Sequence, residues 1–390
     1  MKLLFVHDVK ARLFGDKVFA RSFGYDIWKE RYLPSFDVIT VLTRNMKSEV
    51  DLSGKLDLLS GKNVYYDARI GSFKGPGSFF SKRIRRIIRD DISASDFVIC
   101  RLDSFLGLIA IRECKRLKKP FLVEVVGCVW DSFWNHGLFG KILAPFLFFQ
   151  TRSAIKNSKY VIYVTKSFLQ KRYPTKGLHI NVSNVKIDSL NANCVNERIA
   201  KYSNIKGRKI ILGTAANVDV KYKGQQFVIK ALSLLKKDGF SNFEYQLPGS
   251  GDNSYLRRIA KKYNVLDKIV FKGSMTHETI MKWYKDIDVY IQPSLQEGLP
   301  RSVIEAMSTG CFCIGSNVAG IPELIDSNFV LNKHSICRDL CSILKRIDSK
   351  TMQEQALINY NNSKDYYNET LIERRLSFFE KIIENEKKRI

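Results

Sequence analysis

Short apolar runs alternate with longer amphipathic ones along this chain, and they do so in two series separated by a stretch without periodicity. That alternation points to βαβ units around parallel sheets. Strands covered on both faces read as continuous Val, Ile, Leu and Phe, whereas the crossover helices are apolar along one stripe only. In the first series, strands are predicted at KLLFV, DVITVLT, NVYY, DFVIC, PFLVEVV and YVIYVT, with helices over about 17–32, 78–91, 104–117, 140–156 and 166–172. Residues 178–206 are polar and irregular and read as a linker. The second series begins at KIILGTA and continues through FEYQLPG, KIVFKG, DVYIQPS, CFCIG and NFVL, with helices near 224–237, 253–263, 277–285, 301–308 and 335–347. The expected fold class is α/β, with two doubly wound Rossmann-like domains, 1–190 and 205–364, facing across a cleft. A charged amphipathic segment, 365–390, has no strand after it and is expected to form a helix that packs back on the first domain. With 390 residues, each half is long enough to bury its own core.

Composition removes several classes of protein. Hydrophobic residues at 45%, charged residues at 26% and only 9 Pro exclude a disordered or collagenous chain and a small disulfide scaffold. The longest apolar run, ILAPFLFFQT at 142–151, is half of the roughly 20 residues that a bilayer span needs. Asp8 interrupts MKLLFVHD before a signal-peptide core can form. Both features predict a cytoplasmic protein without a spanning helix. The eight Cys show no CxxC spacing and several lie in apolar strand-like runs, which predicts reduced, buried thiols.

The net charge is +25, and residues 1–190 hold most of it, 33 basic against 17 acidic side chains for a net +16. The excess is densest at Lys82, Arg83, Arg85, Arg86 and Arg89 in FFSKRIRRIIRDD. There Phe79, Phe80, Ile84, Ile87 and Ile88 form an apolar stripe at helical spacing. A basic amphipathic helix of this kind suits an anionic membrane surface or a phosphate-bearing lipid. Nucleic acid would also answer to the charge, but no helix-turn-helix, zinc-finger or RNP pattern accompanies it. The alternative for the stripe is packing on its own sheet.

Open α/β sheets bind ligands beyond the carboxyl ends of their strands, so chemistry is expected in the loops there. The segment PSLQEGLPRSVIEAMSTGCFCIGSNVAGIPELI, 293–325, is the most informative. A strand ends in a polar loop, and Gly298, Leu299, Pro300 and Arg301 lead into a helix whose first backbone N–H groups are unpaired. Such a helix start attracts phosphate or sugar oxygens. Glu297 stands before the helix and Glu305 within it, placed to accept hydrogen bonds from vicinal hydroxyls. For a pair of acids without this context, capping or solvation would be the ordinary reading.

Two glutamates so spaced, framed by PS, EAMSTG and GIPELI, resemble the signature of the retaining glycosyltransferases of the GT-B fold, the large family 4 also called group 1. PFLVEVVGCVWDSFWNHG, ILAPF and YVTKSFLQKRYPTKG look like the subgroup that assembles bacterial capsule, exopolysaccharide and O-antigen. The resemblance implies that Glu305 binds the ribose hydroxyls of a nucleotide diphosphate sugar and that Glu297 contacts the transferred sugar. It implies too that Lys223, in LGTAANVDVKYKGQQFVIKAL, neutralises charge developing on the leaving diphosphate. Asn217 occupies the place where the family commonly has an Arg, and Lys221 lies nearby. Gly249 and Gly251 in YQLPGSGDNSYL match the family's Gly-x-Gly loop; without a full GxGxxG they do not argue for a dinucleotide.

In the first domain, Gly127 and Cys128 stand where the wider family often has a His. Asp131 or His136 is therefore a candidate for substrate contact, although Trp130, Phe133 and Trp134 around them would also make ordinary core. His7 and Asp8, with Lys10 and Arg12, are placed in a loop after the first strand. Arg44 and Arg101 lie at strand ends; the acceptor-side candidates are His7, Asp8, Arg101, Asp131 and His136. Asp286-Ile-Asp288 has the form of a metal-binding DxD but falls where helix meets strand, and it reads as structural. Neither a metal nor a tightly bound cofactor is expected.

The resemblance as a whole implies sugar transfer from a UDP- or GDP-linked donor to a hydroxyl of a lipid-diphosphate-linked saccharide, with retention at the anomeric carbon. The enzyme would work at the cytoplasmic face of the inner membrane, peripheral to an anionic leaflet, with no nucleic acid partner. The rival readings are a sugar-nucleotide epimerase of the same GT-B fold and a basic nucleic-acid-binding protein.

Overall fold

The computed structural model describes residues 1–20, 23–54, 56–71, 81–134, 137–188 and 193–388. The chain divides into two units, Met1–Val182 with Leu371–Ile390, and Ser183–Thr370.

The first unit is built on seven parallel strands in the spatial order Val64–Asp67, Val38–Lys47, Lys2–Phe14, Phe97–Leu102, Phe121–Val125, Tyr160–Tyr163, Leu178–Asn181. The chain's first strand is central, as in a doubly wound sheet. Leu3, Leu4, Phe5, Val6, Val98, Ile99, Cys100, Leu122 and Val123 are all buried because helices cover both faces.

Two sequence expectations fail here for local reasons. The first strand does not end at Val6; it continues to Phe14, turns at Gly15, whose φ is +55°, and pairs antiparallel with Lys17–Ala20. Residues 17–32 are thus a strand followed by the helix Tyr25–Arg31, not one long helix. Val18, Phe19 and Ala20 bury as a strand, which outweighs their weak helical periodicity. The basic segment forms the helix Lys82–Ala94, with Ser81 as N-cap accepting from the Ile84 N–H at 3.3 Å. Its Ile87, Ile88 and Ile92 are buried and Arg89 donates to Glu113 at 2.9 Å on the Phe105–Leu117 helix. The isoleucine stripe therefore packs inward, and Phe79 and Phe80 lie outside the described residues.

The second unit repeats the plan with six parallel strands in the order Ile269–Gly273, Phe243–Pro248, Ile210–Gly213, Val289–Gln292, Phe312–Ser316, Val330–Leu331. This is the 3-2-1-4-5-6 order of dinucleotide-binding sheets. The stretch expected as a linker contains regular structure: Leu178–Asn181 is a strand and Asn193–Ser203 a helix. The strand escaped notice because all four of its residues are exposed or half-buried. The helix escaped it because its buried face includes a charge, Arg198, whose guanidinium donates to the carbonyls of Ile287 at 2.5 Å, Tyr284 at 2.6 Å and Thr309 at 3.2 Å. Asp288 is fully buried, accepting from Arg208 at 2.6 and 2.9 Å and the Ile211 N–H at 2.8 Å, and pairing with Lys201 at 3.0 Å. Burial alone would raise its carboxyl, but Arg208 and Lys201 hold it below the usual carboxylate range.

The final helix, Asn368–Lys387, buries Leu371, Arg375, Phe378, Phe379 and Ile382, a stripe at i, i+4, i+7, i+8 and i+11. Within the first unit Phe379 meets Phe36 edge-on at 5.4 Å, and Arg375 reaches Glu124 at 2.5 Å. All eight cysteines are free thiols; Cys337 is half-buried and the other seven are buried. Among the described residues, no helix is long and apolar enough to cross a membrane.

Candidate functional site

In the second unit, the carboxyl end of the Val289–Gln292 strand opens on a cavity of about 550 Å³. Lys223, Asn217, Glu297, Leu299, Arg301 and Glu305 all line it, so two segments 80 residues apart in sequence meet there. Gln292, buried at the strand end, organises one wall. Its Nε2 donates to Ser294 at 2.8 Å and to Glu297 Oε1 at 2.9 Å, and its Oε1 accepts from Tyr290 at 2.7 Å and Ser302 at 3.1 Å. Ser294 donates to the same Glu297 oxygen at 2.8 Å and Lys223 Nζ does so at 2.7 Å. Glu297 Oε1 thus has three donors, while Oε2 accepts from none among the described residues. The carboxylate is thus held in place through one of its two oxygens.

Lys223 reaches this wall because Gly224 permits it. The chain leaves the Ile210–Gly213 strand, makes one 3₁₀ turn at Lys221–Lys223 and passes Gly224 at φ +81° into the Gln225–Lys237 helix. A Cβ on Gly224 would sit 1.9 Å from the Pro293 carbonyl oxygen, so any other residue would push the two loops apart. The Leu295 N–H, donating to the Tyr222 carbonyl at 2.7 Å, ties them together. Lys221 is turned away, its ammonium 4.9 Å from the Tyr255 ring centre.

Glu305 lies in the second turn of the Arg301–Ser308 helix, where Pro300 offers no capping side chain to the first N–H groups. Tyr284 donates to Glu305 Oε2 at 3.0 Å. Burial, and next the Glu305 charge, push the Tyr284 phenol well above its ordinary value, so it stays a proton donor. Gly249 and Gly251 do not line the cavity. They support it: a Cβ at Gly249 would strike the Ala216 carbonyl at 1.9 Å, and Ser250 between them donates to Asn217 Oδ1 at 3.0 Å. Tyr284 is not legible in the sequence as a site residue, because it meets Glu305, 21 residues on, only in the folded chain; Gln292 and Ser294 stand near Glu297 in sequence, but nothing there shows that their side chains turn onto its carboxylate.

A second cavity, of about 250 Å³, lies in the first unit and is lined by His7, Asp8, Arg44, Asp103, Phe105 and Phe133 among others. His7 and Asp8 are not in a loop. They sit where the parallel register between the first and second parallel strands breaks, His7 to Val9 standing opposite Thr43 alone. The register break is a bulge, and both residues line this cavity. Asp8 accepts from the Phe105 and Leu106 N–H groups at 2.8 and 3.1 Å, closing the start of the Phe105–Leu117 helix. Arg44 donates to the Asp8 carbonyl at 2.7 Å. Burial raises the Asp8 carboxyl against the pull of Arg44, and it raises that of Asp103, which accepts from Ser132 at 2.7 Å.

Arg101 and Asp131 are not among the residues that line this cavity. Arg101 pairs with Glu124 at 3.5 Å and lies 5.0 Å over the Phe23 ring; Asp131 pairs with Arg172 at 3.6 Å. Trp130 stacks on Trp134 at 5.2 Å and meets Phe148 edge-on. His136 lies outside the described residues.

His7 carries a pH signature. Its Nδ1 is buried without a partner among the described residues, and burial, then the Arg101 and Arg44 charges, hold its pKa well below the ordinary 6.5. The unfolded chain therefore binds a proton that the folded chain refuses, and stability contributed above pH 6.5 is lost as the pH falls through and below that value. Melting wild type and His7→Gln from pH 8 to pH 5 is expected to show a shallower decline for the variant. Parallel curves would mean that His7 is not the refusing group.

Similarity to known proteins follows the same map. The family described as glycosyl transferases group 1 matches residues 195–338, the stretch that holds Lys223, Glu297 and Glu305. Over 373 residues the chain is 34% identical to Protein CapJ of Staphylococcus aureus, covering 94% of this chain and 92% of that protein. It is 33% identical over 113 residues to the amylovoran biosynthesis glycosyltransferase AmsK of Erwinia amylovora, a match that spans 27% of this chain and 28% of that one. Anabaena HepE, solved in complex with UDP-glucose, superposes with a TM-score of 0.64 at 14% identity, covering 98% of this chain and 100% of that one. At that identity the likeness shows a shared fold, GT-B, made of two Rossmann-like units. The cavity walls at the strand ends thus coincide with the part of the chain that the family match covers, and the chain belongs to the group 1 glycosyl transferases, enzymes that transfer a sugar.

Proposed function

We propose that the protein transfers a sugar from a nucleoside diphosphate donor, UDP- or GDP-linked, to a hydroxyl of a lipid-diphosphate-linked saccharide during assembly of a bacterial surface polysaccharide, with retention at the anomeric carbon. The observation that carries the reading is the Lys223–Glu297 pair, 2.7 Å apart at the mouth of a cavity that Glu305 also lines. Glu305, steadied by Tyr284, accepts from the ribose hydroxyls. Glu297 accepts from the transferred sugar. Lys223, with the backbone N–H groups of Gly298, Leu299 and Arg301, neutralises the diphosphate.

The bond between the anomeric carbon and the phosphate oxygen breaks as the acceptor oxygen closes on the same face. The acceptor proton passes to the leaving phosphate. The side chains contribute positioning and charge stabilisation rather than a nucleophile. On the acceptor side, His7 and Asp8 are the residues proposed to meet the incoming saccharide, with Arg101 and Asp131 not in the lining of that cavity and His136 outside the described residues. HepE, crystallised with UDP-glucose, supports a uridine donor, and AmsK supports a polysaccharide product. Work at the cytoplasmic face of the inner membrane follows from a lipid-linked acceptor.

Thermal shift with UDP, GDP, ADP, CMP and their sugars tests the donor site. A ligand at a hundred times its dissociation constant adds about 2.7 kcal/mol to the native state, or several degrees for units of this size. One base should stabilise selectively, and Glu305→Ala should lose that response. No response to any nucleotide would overturn the reading. Conversion of the nucleotide sugar to an isomer without acceptor would make the protein an epimerase, and a salt-dependent response to an oligonucleotide alone would make it a nucleic-acid binder.

A further inference from the structure

The helix Gly137–Lys156 presents an unusual outer face. Its Ala144, Leu147, Thr151 and Ile155 are buried in the first unit, which fixes the helix rotation. On the opposite side Leu138 is 81% exposed, Ile142 74%, Phe146 55% and Phe149 65%. These positions fall at i, i+4, i+8 and i+11, one continuous stripe of roughly 17 Å at 1.5 Å per residue. Contiguous large apolar side chains held in water at this density mark an interaction surface. Trp134, 42% exposed, stands at one end with the Lys141 ammonium 5.7 Å from its ring centre.

The charged side chains of the helix that bears the stripe are all basic. The helix carries Lys141, Arg152 and Lys156 and no acid. On the neighbouring Phe105–Leu117 helix, Arg112 donates to Gln150 beside Phe149. Arg85 of the Lys82–Ala94 helix lies close enough to Arg112 to act, after burial, in lowering its pKa, so the basic helix continues the positive field. Lys82, Arg83 and Arg86 on that helix are exposed. Part of the basic excess of residues 1–190 thus lies beside an apolar face. A second copy of this chain fits poorly, because a two-fold contact through the stripe would set these cations against their own images with no acid on the helix to answer them.

We propose that the Leu138–Ile142–Phe146–Phe149 stripe inserts into the headgroup and acyl boundary of an anionic lipid bilayer, with Lys141 and the Lys82–Arg86 cations at the level of the lipid phosphates. Three cations within 20 residues keep the helix from crossing, so it lies in the plane of the surface. The inference rests on the lipid-linked acceptor proposed above and says which face meets the membrane. It also moves the apolar contact from the Lys82–Ala94 helix, whose isoleucines face inward, to the Gly137–Lys156 helix, and leaves the former an electrostatic part.

Co-sedimentation of the full chain with vesicles of phosphatidylcholine alone, and of phosphatidylcholine with 30% phosphatidylglycerol, reads the proposal. Wild type is expected to sediment with the anionic vesicles. Ile142→Glu/Phe149→Glu should lower partitioning more than tenfold at any salt. Arg83→Glu/Arg86→Glu should lower it by at least about fivefold for each cation at low salt, and less at high salt. All four positions are exposed, and an unchanged melting temperature confirms that the variants fold. Wild type left in the supernatant, or apolar variants that sediment like wild type, would overturn the proposal. So would a wild-type dimer that Ile142→Glu/Phe149→Glu turns into a monomer, since the stripe would then be a contact between copies. The nucleotide response of the same samples without lipid keeps this outcome separate from the donor reading: its loss with vesicle binding intact sinks the latter only.

Discussion

Arg375→Ala is expected to destabilise the first unit by about 3–5 kcal/mol, the cost of leaving a buried partner charge uncompensated. Arg375 and Glu124 are each 2% exposed and 2.5 Å apart. Tyr32 donates to the same Glu124 oxygen at 2.9 Å, and Arg101 approaches the other at 3.5 Å. Burial would push the Glu124 carboxyl up, but Arg375 and Arg101, with the Tyr32 hydroxyl, hold it below the usual carboxylate range, so it is ionised in the folded chain. Removing Arg375 takes away the nearest cation while Glu124 stays beneath the last helix. Because domains are stable by only about 5–15 kcal/mol in total, the loss should appear as a large fall in the denaturant midpoint and as rapid proteolysis of the Asn368–Lys387 helix. The double variant Glu124→Leu/Arg375→Met removes both charges and should recover at least half of that loss. A single variant that melts like wild type would mean that Phe378 and Phe379 alone dock the helix.

Lys223→Ala is expected to lower kcat on the order of 10²–10³-fold, the cost of removing one preorganised donor from a developing oxyanion. The effect should fall on turnover more than on KM, because the charge on the diphosphate grows as the glycosidic bond breaks. Glu297→Gln provides the contrast. It keeps the hydrogen bonds from Gln292 and Ser294 possible but removes the anion that Lys223 faces, so the nucleoside diphosphate product should bind more tightly while turnover falls. Single-turnover assays with radiolabelled nucleotide sugar, beside product affinity by calorimetry, measure both. Lys223→Ala with kcat within threefold of wild type would remove Lys223 from the mechanism.

The two variants differ in how readable their residues were. Glu297 and Glu305 stand out in the sequence because both belong to one strand-loop-helix segment, where local spacing carries the information. Lys223 could be placed only through a family resemblance, since its meeting with Glu297 depends on the absence of a side chain at Gly224 against the Pro293 carbonyl. Arg375 was legible only as part of an amphipathic pattern. Nothing in its neighbours shows that its partner is Glu124, 251 residues away.

Taken alone, the sequence determined what depends on local periodicity: two series of parallel strands and crossover helices, a final helix, and the segment bearing the two glutamates. Each of these is set by which residues are apolar at spacings of two or of three to four, and burial enforces that pattern wherever the chain packs. Tertiary structure alone decided how far the first strand runs past His7, that the isoleucines of the basic helix face inward, and that Leu138, Ile142, Phe146 and Phe149 face out. An amphipathic or wholly apolar helix has the same sequence whether its apolar side meets protein or a partner. The choice is made by which neighbouring elements cover it, and that is a long-range property no local pattern contains.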